Sequence, residues 1–209
     1  MAQTQPTPAW DVDDRLRIRV RRVGPWDNAA YVVACPETGQ AVLIDAANEP
    51  ERLLEALEGV SLVGILETHG HQDHWQALAA LQQHFPGVWV GAHPDDLDRF
   101  PAPPPGRTLE HGQEVEFGNR RLRVLHTPGH TRGSICFYHP GFVFTGDTLF
   151  PGGPGATSDP LGDFPTIVES IRNHLLPLPA ETIVYPGHGE PTALAREAPQ
   201  FSGWVSRGW

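Results

Sequence analysis

Residues 62–75 read Leu-Val-Gly-Ile-Leu-Glu-Thr-His-Gly-His-Gln-Asp-His-Trp, and the two halves of this stretch carry different signals. Leu62 to Thr68 is a short apolar run with β-branched members, which reads as a buried strand. The next residues deliver His69, His71, Asp73 and His74 directly off that strand, ahead of a segment whose Leu78, Leu81 and Phe85 predict a helix. In a loop between strand and helix the side chains need not share one helical face. His69 and His71 can therefore converge on one ion while Asp73 and His74 turn toward a second. Imidazole and carboxylate together suit zinc, iron or manganese. Polar residues that merely capped the helix would account for Asp73 and His74 and leave the other two histidines unexplained.

Working outward, the N-terminal side reads as strands at Leu16 to Val23, Ala29 to Cys35 and Ala41 to Asp45, followed by a helix over Glu51 to Glu58 that stops at Gly59. On the C-terminal side Val88 to His93 is a strand, and Pro101 to Gly106 breaks the pattern. Strands then follow near Gln113 to Phe117, Leu122 to His126, Ser134 to Tyr138 and Phe142 to Thr145. The spacing of Phe164, Ile167, Val168, Ile171 and Leu175 predicts one helix, and Glu181 to Tyr185 a last strand. Strands followed by helices, twice over, predict two packed sheets covered outside by helices.

Composition removes several alternatives. All 15 basic residues are arginine, against 25 acidic ones. Without lysine, Schiff-base, pyridoxal-phosphate and P-loop chemistry are excluded. A net charge of −10 with no basic tract argues against nucleic acid as a partner, so the expected partner is a small-molecule substrate. Cys35 and Cys136 each lie inside an apolar run and read as buried thiols. The polar, proline-bearing start has no signal-peptide core, and no segment has the roughly 18 apolar residues of a membrane span. The expectation is a soluble, cytoplasmic protein without a membrane partner, with 1–14 a flexible segment and 15–209 a single domain.

Three further ligand-type residues sit in glycine turns at strand ends: His130 in HTPGHTRGS, Asp147 in FTGDTLF and His188 in YPGHG. Taken in chain order, HxHxDH, His, Asp and His resemble the motif series of the metallo-β-lactamase superfamily, and their wording resembles its glyoxalase II-like branch. The resemblance runs from about Asn28 to Pro191. It implies an α+β fold, the αββα four-layer sandwich, with metal at the sandwich edge. It further implies His69, His71 and His130 as ligands of one metal, Asp73, His74 and His188 as ligands of a second, and Asp147 as the bridging carboxylate. Asp45 matches an early aspartate that supports the metal loop, and Thr68 and Thr131 are candidates to orient the imidazoles.

The activity implied is metal-dependent hydrolysis of a thioester or other small ester-like substrate with two zinc ions, Asp73 and Asp147 holding the attacking hydroxide. The same motifs occur in mononuclear iron persulfide dioxygenases, which would use His69, His130 and Asp147 as a facial triad; a mixed zinc, iron or manganese centre also fits. A non-catalytic metal-binding domain is the weakest reading. Three departures bear on a glutathione substrate: Ala156 stands where arginine is common, the short tail after His188 is expected not to hold a glutathione-binding extension, and the third follows HxHxDH directly. There Trp75 and Gln76 replace residues that are usually small. The remaining histidines, His84, His93, His111, His139 and His174, are expected at the surface, and His126 in a structural role. Trp26, Trp75 and Trp89 read as core or cleft wall, with Trp75 a candidate for the substrate entrance, and Asp95, Asp96 and Asp98 as a solvated helix start.

Overall fold

The strand Asn28–Ala34 is buried at every position because its two faces meet different partners. Tyr31 and Val33 enter one apolar cluster, while Ala30, Val32 and Ala34 enter another on the opposite side, as a period of two requires. Gln40–Ile44 divides the same way, Val42 and Ile44 to one cluster and Ala41 and Leu43 to the other. A sheet apolar on both faces must be covered on both. That is the arrangement in the computed structural model, which describes residues 11–12, 14–158 and 160–208.

The first sheet holds β1 (Asp11–Val12), β2 (Arg17–Val23), β3 (Asn28–Ala34), β4 (Gln40–Ile44), β5 (Ser61–Leu66), β6 (Trp89–Ala92) and β7 (Arg107–Thr108) in that spatial order. It is antiparallel up to β4 and parallel from β4 to β7. Its outer face is covered by α1 (Pro50–Ala56) and α3 (Leu78–His84), and the four-residue α2 (Gln72–Trp75) lies between β5 and α3. The second sheet holds β8 (Glu114–Phe117), β9 (Arg120–His126), β10 (Ile135–His139) and β11 (Phe142–Gly146). After a small hairpin of β12 (Leu149–Phe150) and β13 (Gly153–Pro154) it is completed by β14 (Ile183–Pro186) and β15 (Thr192–Ala193), in the order β15-β14-β11-β10-β9-β8. Its outer face packs Cys136, Val143 and Val184 against Ile167 of α4 (Phe164–Ser170) and Trp204 of α6 (Phe201–Arg207), reached through α5 (Leu194–Glu197).

Between the sheets, Tyr31, Ile44, Leu66, Phe137, Phe144 and Tyr185 make the central core. Fully burying a side chain of this size contributes roughly 1.5–3 kcal/mol. The layer order is the expected αββα, and both cysteines are buried free thiols. The single helix expected over Phe164 to Leu175 is instead an α-helix to Ser170 and a π-helical turn over Ile171–Leu175. There the Leu176 N–H bonds the Ile171 carbonyl, and the wider turn keeps both Ile171 and Leu175 fully buried. Most of the segment 1–14 lies outside the described residues; within it Asp11 and Val12 pair with Ile18 and Arg17. No helix among the described residues is long and apolar enough to cross a membrane.

Candidate metal centre

The residues singled out by motif all follow the C-terminal ends of strands: Asp45 after β4, His69 after β5, His130 after β9, Asp147 after β11 and His188 after β14. Main-chain bonds tie the two sheets together at this edge. Ile135 N–H donates to the Thr68 carbonyl at 2.9 Å and Ala29 N–H to the Gly187 carbonyl at 2.8 Å. The Tyr31 hydroxyl donates to the Pro186 carbonyl at 2.5 Å.

These loops bring His69, His71, Asp73, His74, His130, Asp147 and His188 together. His71 Nδ1 lies 3.1 Å from His69 Nε2 and 2.9 Å from His130 Nε2, and His74 Nε2 lies 3.2 Å from His188 Nε2. Asp147 sits between the two groups, 3.5 Å from His74, His130 and His188. Asp73 Oδ2 is 3.4 Å from His188 Nε2 and 3.5 Å from His74 Nε2. The donor atoms of His69, His71 and His130, and those of Asp73, His74 and His188, lie within 4.8 Å of one another in each set.

Four of the imidazoles have an acceptor at their outer nitrogen, which assigns a proton there. His130 Nδ1–H donates to the Ala156 carbonyl at 2.7 Å and His188 Nδ1–H to the Trp26 carbonyl at 2.8 Å. His74 Nδ1–H donates to Asp45 Oδ2 at 2.8 Å. The Thr68 hydroxyl gives its proton to Asp45 at 2.9 Å, so its oxygen accepts from His69 Nδ1–H at 3.0 Å. In their neutral forms all four imidazoles then aim an Nε2 lone pair into the centre. Lone pairs facing one another at about 3 Å repel unless a cation lies among them. Asp147 Oδ1 is also buried without a hydrogen-bond donor among the described residues. The donor set therefore fits divalent metal.

The electrostatics agree. Burial alone would raise the Asp147 carboxyl, but the imidazoles of His74, His188 and His130 outweigh it and hold it down to about 2. Asp73 is likewise held below the usual carboxylate range against its burial, chiefly by His188. Burial would lower His188, yet the carboxylates of Asp147 and Asp73 push it up to about 10, and His74 is raised for the same reason. His69 and His130 are lowered, chiefly by burial. Both carboxylates stay ionised, and the positive charge they hold on His74 and His188 stands where a bound cation would take its place. Space is equally constrained: a Cβ at Gly187 would fall 2.2 Å from Asp147 Oδ1 and 2.8 Å from His74 Cε1.

Asp45 occupies the supporting position expected of it, taking both the Thr68 N–H and hydroxyl as well as His74. Ala156 serves His130 through its carbonyl, a role open to any side chain. Thr131 does not reach an imidazole; its hydroxyl donates to Asp96. Asp96 is completely buried, contrary to the solvated helix start expected there. His93 and His139 are also buried rather than at the surface. Trp75 packs near Phe100 in the outer helix layer, with its indole N–H donating to the Gly70 carbonyl, and Trp26 is 64% exposed. Asn28, which donates to Asp73 Oδ2 at 2.9 Å, carried no signal in the sequence. It opens an otherwise apolar strand.

A second histidine group lies apart from the centre. The donor atoms of His93, Asp95 and His126 also fall within 4.8 Å of one another, but the two rings are stacked, 3.8 Å apart and 12° from parallel. His111 and His174 adjoin them: His111 Nδ1 accepts from the His126 N–H at 3.2 Å and the His174 ring lies 4.7 Å from its own.

Comparison with known proteins accords with this geometry. The family model of the metallo-beta-lactamase superfamily matches residues 23–188. The hydroxyacylglutathione hydrolase GloC of Haemophilus influenzae is 38% identical over 178 residues, 75% of this chain and 84% of that protein. Some relatives are longer: the match to the hydroxyacylglutathione hydrolase of Thermosynechococcus vestitus covers only 64% of that protein. Among solved structures, ETHE1 from Myxococcus xanthus superposes with a TM-score of 0.80 at 32% identity, covering 89% of this chain and 84% of its own. TTHA1623, solved in a di-iron-bound form, gives 0.77 at 39% identity, covering 86% and 96%. The chain belongs to the metallo-beta-lactamase superfamily and within it is similar to the hydroxyacylglutathione hydrolases.

Proposed function

We propose that this protein is a dinuclear metal hydrolase of a small thioester or related ester, with His69, His71 and His130 holding one ion, Asp73, His74 and His188 a second, and Asp147 between them. The observation that carries the reading is the convergence of four imidazole Nε2 atoms around Asp147, each ring fixed from behind by an acceptor. Bound there, two divalent ions, zinc in our reading, supply the Lewis acidity that ionises water at neutral pH and polarises the carbonyl under attack. Asp147 and Asp73 would hold the attacking water, one of them accepting its proton and passing it to the departing thiolate or alkoxide; Asn28 keeps the Asp73 carboxylate aimed through its 2.9 Å bond.

Two side chains in or next to the second sheet that could compete as nucleophiles are otherwise held. Burial pushes the Cys136 thiol up to about 11, and the Ser134 hydroxyl is engaged with Thr131. The similarity to hydroxyacylglutathione hydrolases supports a thioester. A cavity of about 350 Å³ flanks the His130 turn and is lined by Gly129, Arg132, Leu161 and Asp163.

The similarity to ETHE1 favours one second reading, a mononuclear iron persulfide dioxygenase using His69, His130 and Asp147. Metal analysis of protein grown with both zinc and iron, paired with two assays, separates them. Near two ions per chain with cleavage of S-lactoylglutathione is the expected result. One iron per chain with oxygen uptake on glutathione persulfide would replace it.

A further inference from the structure

The 3-10 turn Pro94–Arg99, between β6 and β7, supplies none of the seven converging residues, yet its Asp96 carboxylate is completely buried against two of the loops that do. Asp96 Oδ2 accepts from the Gly70 N–H at 2.7 Å and from the Thr131 hydroxyl at 2.7 Å, and Oδ1 accepts from the Gly133 N–H at 2.8 Å. Gly70 is the residue between His69 and His71, and Thr131 follows His130. One carboxylate thus clamps main chain that comes off both sheets, beside all three imidazoles of the first group.

The glycines at those contacts are what let the turn seat. A Cβ at Gly133 would fall 2.7 Å from Asp96 Cβ, and one at Gly70 would fall 2.6 Å from Arg99 Cβ and 3.1 Å from the Asp96 carbonyl oxygen. The Arg99 guanidinium is 3.9 Å away, beyond hydrogen-bond reach, so the three closer donors hold the charge. Among the described residues, Asp73, His74 and His188 make no hydrogen bond with this carboxylate.

We infer that Asp96 is the positioning residue for the first ion: it holds the His69–His71 backbone and the His130 turn at the spacing from which three imidazoles meet one metal. The inference rests on the dinuclear reading above. It requires a carboxylate, because three donors converge on two acceptor oxygens. An asparagine offers one oxygen and turns an NH₂ group toward a donor.

The test is cobalt(II) loading of the full chain, titrated against a competing chelator and followed by visible absorption, with His71→Ala marking the bands of the first ion. Wild-type protein should take two equivalents. Asp96→Asn should weaken the first by about 10–100-fold and alter only its bands, leaving the second unchanged. Thr131→Val removes one of the three donors without touching the carboxylate and should show the same selective loss in smaller measure, which covers the case in which Asp96→Asn does not fold. A lower Tm with both affinities and all bands intact would overturn the inference, as would equal weakening of both ions. Wild-type protein holding fewer than two ions would overturn the dinuclear reading and the inference with it.

Discussion

The two histidine groups of this chain use the same side chain in opposite ways. At the candidate centre the ring planes of His69 and His71, His71 and His130, and His74 and His188 cross at 85–87°, with centroids 4.6–5.1 Å apart. His93 and His126 lie parallel at 3.8 Å. An imidazole lone pair lies in the ring plane, so rings that share an ion turn their edges to it and their planes cross. Stacked rings point their lone pairs side by side. An acceptor behind the ring does not make the distinction: four central imidazoles have one, and in the stacked pair His126 Nε2 likewise lies 2.9 Å from the Arg132 carbonyl, while Asp95 is an exposed carboxylate 3.8 Å from His93. Close histidines occur in both places, five at the centre and two in the stack; ring orientation and the carboxylates set among the rings separate the two.

The comparison can be broken most severely at Asp147, which touches both halves of the centre. Asp147→Ala should remove metal and lower kcat/KM on the order of 10³-fold while far-UV circular dichroism stays native; full turnover in the metal-depleted variant would contradict its role. Asp45→Asn tests the outer partners. It should weaken the second ion about 10–100-fold through His74 and also loosen the first through Thr68, whose hydroxyl holds His69, as read by chelator competition; unchanged affinity for both ions would contradict the role of these partners.

The stacked group makes a different prediction, about acid. His93, His111 and His174 are each lowered from the ordinary histidine value, chiefly by burial. Unfolded, they take up protons near pH 6.5; folded, they resist until lower pH. The unfolded state therefore binds more protons in that window, and stability falls as pH drops below about 6.5. In metal-free protein, His174→Gln should flatten the decline in Tm between pH 7 and pH 5; an unchanged slope would remove His174 from the account. The smallest effect is expected at His126→Gln, which should leave metal content per chain unaltered because the stack is not a ligand set.

Much of this was legible in the sequence for a plain reason. Period-two alternation in strands such as Asn28–Ala34 reports directly on which faces are covered, and ligand residues placed at strand ends converge once the sheets pack. His69, His71, Asp73 and His74 could be read locally, whereas Asp45, His130, Asp147 and His188 gained meaning only from the order of motifs along the chain. What could not be read were contacts made across loops far apart in the chain. Asp96 looked like one of three acidic residues opening a helix, and only the approach of Gly70 and Gly133 buries it. His93 looked exposed until His126 stacked on it from the other sheet. The π-helical turn after Ser170 keeps the apolar spacing of a plain helix, so periodicity was silent about it.

The most direct measurement is anomalous diffraction at the zinc and iron edges from crystals of protein grown with both metals. This account predicts two peaks, one among His69, His71 and His130 and one among Asp73, His74 and His188, with Asp147 between them and no peak beside His93. A single iron peak bounded by His69, His130 and Asp147, or density for a metal between the stacked rings of His93 and His126, would contradict it.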